Sequence, residues 1–356
     1  VSAVSGLVDL HHHGDRDTAP GLVDLAVNVR LPAPPPWLAD VVADSLRDLG
    51  RYPDPTPATL AIARRHGVDP ACVLPTAGGA EAFTLVARAV PGADPVVVHP
   101  QFTEPEAALI AAGRAVSRHV LRREDGFRLD PAAFKPRGEH AGADLVVVGN
   151  PTNPTGVLHR ADDLRALRRP GRVVVVDEAF MDAVPGEPES LVAPDLDGVL
   201  VIRSLTKTWG LAGLRAGYVV GDPALVARLR AVQPPWSVSS PAVAATVACV
   251  SARAVAEAEA AALAYAADRD VLVRELAAAG LTTAAPSHAP FVLVDTSPLG
   301  TGSVREDLAR VGFAVRRGET FPGLGPTWVR MAVRGPETSR AVVAALADLR
   351  RRRRVA

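Results

Sequence analysis

SLTKTWGLAGLRAGY, Ser204 to Tyr218, sets a single lysine among small hydroxyl residues and closes on glycines and an arginine. It grows out of GVLVIRSL (198–205), an apolar run of the kind that forms a strand buried on both faces. A lysine just past such a strand end can face a cleft, where desolvation and a neighbouring cation lower its pKa and free its lone pair to attack a carbonyl. A loop lysine is ordinarily a solvated charge, so the meaning of Lys207 depends on its surroundings.

Upstream lie three more β-branched runs, VVVH (96–99), DLVVVGN (144–150) and RVVVVDEAF (172–180), separated by helical segments. Continuous runs of this length predict a large α/β unit whose mostly parallel sheet is covered by helices on both faces, with ligands expected beyond the strand ends. Before it, HHHGDRDTAPG and LPAPPP mark residues 1–36 as an irregular arm with one short strand near Leu25–Val29. Helices are predicted over Trp37–Leu49 and from about Ala58 to His66. After Pro241 an Ala/Glu/Arg-rich helical region runs to about Ala279 with one interruption. FVLVDT (291–296), a helix near 304–311, FAVRR (313–317), WVRMAV (328–333) and a final Arg-rich helix follow. The expected division is an arm (1–36) joining a smaller α+β unit (241–356), around a large unit (37–240).

Lys+Arg and Asp+Glu both number 39, so no net field points to nucleic acid, and the terminal arginine run is too short to change that. Cys72 and Cys249 stand far apart, offering neither a disulfide framework nor a thiolate metal site, and no metal is expected. No basic segment leads into an apolar one near the start, and charges interrupt the alanine-rich stretches; a cytoplasmic protein without a membrane span is expected.

Around Lys207, the hydroxyls of Ser204 and Thr206 and the fork of Arg215 can together hold a phosphate. TAGGAEAF (76–83) offers a second half: a glycine turn entering a helix whose free N–H groups favour an anion. Asp177 ends a buried run, where a carboxylate either caps the next segment or pairs with a protonated heterocyclic nitrogen. GNPTNPTG (149–156) is a rigid turn from which Asn153 can aim its amide into the same crevice.

GNPTNPTG, DEAF and SLTKTWGLAGLRAGY, in this order over nearly the whole chain, resemble the fold type I pyridoxal-phosphate enzymes of the aspartate aminotransferase superfamily. The resemblance implies that Lys207 carries the cofactor, Asp177 pairs with its pyridine nitrogen and Asn153 bonds near the ring hydroxyl. It further implies a phosphate cradle of Gly79, Ala80, Ser204, Thr206 and Arg215, and an aromatic, Phe102 in HPQFTEP, stacked on the ring. Phe180 departs from the pattern, since many relatives carry a tyrosine that donates to the ring oxygen and phenylalanine cannot.

Within the superfamily the chain is most similar to the branch of histidinol-phosphate aminotransferase and threonine-phosphate decarboxylase. RYPDP (51–55) implies that Tyr52 reaches the neighbouring subunit's cofactor phosphate in a homodimer. WVRMAVR implies that Arg330 grips a substrate carboxylate, while Arg316 or Arg317 approaches a distal phosphate and Asn28 of VDLAVNV contributes to substrate binding. Transamination of a phosphorylated amino substrate, with glutamate and 2-oxoglutarate as the amino-group pair, ranks first. The alternative is decarboxylation of threonine phosphate towards the cobalamin side chain, to which HHHGD and RRGETFPGLG (316–325) are similar. A third, non-catalytic reading is an effector domain of a transcription regulator, without the DNA-binding module such proteins append.

Overall fold

The structure, a computed structural model, describes residues 9–355; the arm's first eight residues and Ala356 lie outside the described residues. Its strands are β1 (Val23–Leu25), β2 (Val73–Thr76), β3 (Pro95–His99), β4 (Ser117–Val120), β5 (Leu145–Gly149), β6 (Val173–Asp177), β7 (Val199–Ser204), β8 (Gly217–Gly221), β9 (Thr282–Thr283), β10 (Phe291–Asp295), β11 (Phe313–Arg317) and β12 (Trp328–Ala332). Seven of them form one sheet in the order β2-β8-β7-β6-β5-β3-β4, and five form a second in the order β1-β11-β12-β10-β9.

In the larger sheet β4, β3, β5, β6 and β7 pair in parallel. The valine runs of β5 and β6 are buried, as strands covered on both faces require. Two strands lack so clear a sequence signal. Edge strand β4, SRHV, is largely exposed and shows no apolar run. β8 runs antiparallel to both β2 and β7 and is framed by glycines, which mask its strand character. Gly217 is required there: a Cβ would lie 2.8 Å from the Arg203 carbonyl oxygen.

The helix predicted over Trp37–Leu49 spans Pro36–Ser45 and tightens into a 3-10 turn over Leu46–Asp48. Thr56–His66 ends at Gly67 in the left-handed region (φ 64°), with Arg64, Arg65 and His66 set against its carbonyl end. The interruption in the alanine-rich region lies between helices Ser240–Cys249 and Ala252–Ala278; Ser251 caps the second through an Ala254 N–H···Oγ bond of 3.3 Å. Ala242 and Ala245 of the first helix pack with Ile62, Trp209 and Val220 against the large sheet.

The arm's strand is Val23–Leu25, parallel to β11, rather than the expected Leu25–Val29. The side chain of Asp24 explains the shift, because it accepts from the N–H groups of Ala26 (2.8 Å) and Val27 (2.9 Å) and turns the chain off the sheet. The turned segment runs on to Arg30, whose N–H donates to the Lys207 carbonyl at 2.9 Å. Gly210 (φ 67°) accommodates it: a Cβ there would approach the Ala33 carbonyl to 2.9 Å.

Arg203 on β7 is buried beside Glu178 (3.0 Å) and Glu187 (2.5 Å). Removing one member of a buried network strands its partners, so Arg203→Ala is expected to cost about 3–5 kcal/mol, read from urea unfolding. An unchanged midpoint would show that the two carboxylates are satisfied without it.

Candidate active site

Parallel pairing brings the ends of β3, β5, β6 and β7 to one edge of the large sheet, and the smaller sheet and the arm close over it. Between them lies a cavity of about 520 Å³ lined by Lys207, Asp177, Asn153, Ser204, Thr206, Arg215, Gly79, Ala80, Phe102, Asn28, Arg316 and Arg330. Residues spread over more than 300 positions of sequence thus share one space. Tyr52 is apart from it: 77% exposed, it stacks on Trp236 with ring centroids 4.2 Å apart.

Lys207 is pushed down to about 8, first by burial and then by the nearby guanidinium groups of Arg330 and Arg215. Asp177 is pushed up to about 6 by burial, opposed by an Ala179 N–H bond of 3.1 Å and by the charge of Lys207. Two buried groups on one cavity, both moved well away from their ordinary pKa values, mark it as a candidate functional site.

At the other end of the cavity the helix Gly78–Ala89 begins. Gly78 is in the left-handed region (φ 77°), and a Cβ would lie 2.7 Å from a guanidinium nitrogen of Arg215. Glycine therefore lets that cation rest against the helix N-terminus. Ser204 Oγ and Thr206 Oγ1 lie 2.7 Å apart on the same side. Free helix N–H groups, a guanidinium and two hydroxyls make a donor set suited to a phosphate.

Arg330 on β12 is buried, donates to Asn153 Oδ1 at 2.6 Å and to the Ala26 carbonyl, and lies 5.3 Å from the Phe291 ring centroid. Burial, with Arg316 nearby, holds its pKa well below the usual arginine range, and its Nε has no partner. Among the described residues no carboxylate bonds to it directly, so the cation is under-compensated and the cavity there favours an anion. Asn28 is also buried, with neither amide atom bonded among the described residues.

The two adjacent arginines separate by strand alternation. Arg316 faces the cavity, pairing with Asp17 (3.1 Å) and donating to the His12 carbonyl (2.7 Å), with its guanidinium over Phe321. Arg317 does not line the cavity; its Nε donates to the other Asp17 oxygen at 2.8 Å and it lines a separate charged groove. Phe180 packs edge to face on Phe291 at 5.0 Å beside Ala289, an apolar environment for the ring that replaces tyrosine.

Sequence reasoning missed His13, Gly14, Asp15 and Glu104 in the cavity wall, with His13 Nε2 3.5 Å from Glu104. HHHGD was visible as a motif, but nothing in the sequence shows that the arm folds back over the strand ends.

The family profile described as "Aminotransferase class I and II" matches residues 20–348. The chain belongs to the class I and II aminotransferases. Among this family, proteins of Mycobacterium tuberculosis and Mycobacterium bovis named histidinol-phosphate aminotransferase are 46% identical over 351 residues, covering 98% of this chain and 93% of theirs. The threonine-phosphate decarboxylase of Salmonella typhimurium is 30% identical over 336 residues, covering 92% and 91%. The solved aspartate aminotransferase of Thermus thermophilus with maleate aligns at a TM-score of 0.81 and 26% identity over 92% of each chain.

The fold type I architecture expected from the motifs is therefore present, and the aminotransferase is pyridoxal-phosphate dependent, as its class is. The cavity fits that cofactor: the Gly78 cradle suits its phosphate, Asp177 suits a protonated ring nitrogen, and a readily deprotonated Lys207 suits its carbonyl. Among the described residues no helix is long and apolar enough to cross a membrane.

Proposed function

We propose that this aminotransferase acts on histidinol phosphate or a closely similar phosphorylated amine, with glutamate and 2-oxoglutarate as the amino-group pair. The observation that carries the reading is the near full-length match at 46% identity to proteins named histidinol-phosphate aminotransferase, against 30% for the Salmonella decarboxylase. The unit of activity in this reading is a cytoplasmic homodimer, in which exposed Tyr52 reaches the neighbouring subunit's site. The sequence division at 36/37 and 240/241 is retained as the proposed domain plan.

In this reading Gly79, Ala80, Ser204, Thr206 and Arg215 hold the cofactor phosphate and Phe102 covers the ring. Asp177 keeps a proton at the pyridine nitrogen. Arg330 takes the Oδ1 of Asn153, which leaves that side chain's NH₂ as the donor to the ring oxygen. Bound pyridoxal phosphate supplies the electron sink for the charge left when a bond to the substrate's Cα breaks. Lys207 would hold the cofactor through its carbonyl carbon and, as a free amine, would take the proton from the substrate's Cα. Arg330 grips the glutamate carboxylate, while Arg316 and Asn28 contact the rest of the substrate. The closing arm limits water.

Only unprotonated Lys207 can attack the cofactor carbonyl. Capture of pyridoxal phosphate by the apoprotein, followed by absorbance, should therefore accelerate as pH rises through about 8. A rate constant flat from pH 6 to 10 would contradict the depressed lysine pKa.

A second reading, decarboxylation of threonine phosphate, draws on the arm: the HHHGD segment that resembles the cobalamin-linked branch contributes His13, Gly14 and Asp15 to the cavity wall. One experiment separates the readings. Histidinol phosphate with 2-oxoglutarate should yield glutamate, and threonine phosphate alone should yield no carbon dioxide. Carbon dioxide without an oxo acid would reverse the assignment, and turnover of either kind excludes a purely non-catalytic effector.

A further inference from the structure

We propose that His119, Glu139 and His140 form a binding site for a divalent transition-metal ion, zinc in the first instance, on the outer edge of the large sheet. His119 stands on edge strand β4; Glu139 and His140 lie on the loop that follows the 3-10 turn Pro131–Phe134. Sequence reasoning expected no metal, because the two cysteines, Cys72 and Cys249, stand too far apart to offer a thiolate site. In the fold, one ligand atom of each lies within 4.8 Å of the other two.

Two features make this more than a chance surface grouping. The His140 side chain is only 9% exposed, yet its Nε2 has no hydrogen-bond partner among the described residues and lies 3.7 Å from a Glu139 oxygen. A buried imidazole nitrogen without a partner is costly, and a metal ion would satisfy it. The geometry is also pre-set. The imidazoles of His119 and His140 meet at 88° with centroids 5.0 Å apart, and Phe134 packs against both at 5.2 and 5.3 Å. His140 N–H donates to the Ala133 carbonyl at 2.8 Å, and a Cβ at Gly138 would lie 2.4 Å from that same oxygen, so the loop is tightly closed.

Ligand atoms around tetrahedral zinc lie roughly 3.3 Å apart, given zinc–nitrogen bonds of about 2.0–2.1 Å. The Glu139–His140 separation of 3.7 Å is already close to that spacing, and the Glu139 side chain, 75% exposed, has room to adjust as the cluster contracts from within 4.8 Å. Water completes the coordination. Two imidazoles and one carboxylate select zinc, nickel or cobalt over magnesium and calcium, which take oxygen ligands. The guanidinium of Arg172, which lies over Phe134, is turned to main-chain carbonyls of Phe134 and Ala141, both at 3.1 Å. None of the three ligands lines the catalytic cavity, so the bound ion would clamp the loop to a sheet edge that is otherwise open.

The test is calorimetric titration of the cofactor-loaded enzyme with zinc chloride, with magnesium chloride as control. Because His11, His12 and His13 could also bind zinc, the variants compared are His119→Gln, the exposed-side Glu139→Gln and the arm variant His11→Gln/His13→Gln. The expected result is one zinc event per chain, weakened more than about 100-fold by His119→Gln, a loss beyond that of a typical outer-shell partner. Glu139→Gln should weaken it at least tenfold, and the arm variant should leave it unchanged. Circular dichroism confirms that each variant is folded. The proposal is overturned by zinc binding that survives both His119→Gln and Glu139→Gln, by binding abolished only in the arm variant, or by no binding in the wild type.

Discussion

Lys207→Ala is expected to lower turnover by at least about 10²–10⁴-fold, the range associated with losing a positioned acid–base group, before the loss of the covalent tether is counted. The main chain around the residue should survive the change. The Lys207 carbonyl, not its side chain, receives the Arg30 N–H, and the proposed phosphate cradle rests on Gly78, Arg215, Ser204 and Thr206. The variant should therefore fold and still bind pyridoxal phosphate, but borohydride treatment should no longer fix the cofactor's mass to the chain. Lys207→Arg makes the sharper comparison. It keeps a cation in the cavity, yet a guanidinium does not give up its proton to act as base or nucleophile, so it should be as inactive as the alanine variant. Turnover within tenfold of wild type in either variant would remove Lys207 from the chemistry.

What made Lys207 legible was its place after a strand rather than the lysine itself. The valine runs of β5, β6 and β7 announce buried parallel strands, and parallel pairing forces their ends to one edge, so Asn153, Asp177 and Lys207 could be grouped before any coordinates. The opposite wall obeyed no such rule. Arg316 and Arg317 are identical neighbours in sequence, and only the register of β11 against β1 and β12 decides which one turns inward. The position of β1 depends on a single side chain, Asp24, bending the chain after Leu25, a local hydrogen-bond choice that apolar patterning does not register. His13 and Asp15 were missed for a related reason: an arm without periodicity carries no information about where it docks. The antiparallel β8 escaped notice because Gly217, which the packing against Arg203 requires, also removes the strand's propensity signal.

Arg330→Gln should divide the two half-reactions. Arg330 is a buried cation with no carboxylate bonded to it among the described residues, held in place by Asn153 and the Ala26 carbonyl and backed by Phe291. Removing one partner of a buried, hydrogen-bonded charge pair costs about 2–5 kcal/mol, so kcat/KM for glutamate should fall between roughly 30-fold and a few thousand-fold. Histidinol phosphate has no carboxylate. If Arg330 grips that group, single-turnover measurements should show a loss at least tenfold smaller for the phosphorylated amine than for glutamate. Glutamine keeps a polar amide and part of the side chain's length in the cavity, which limits its collapse. An equal loss for both substrates would mean that Arg330 serves a group they share or merely positions Asn153, and the carboxylate role would pass to Arg316, whose pairing with Asp17 already tempers its charge.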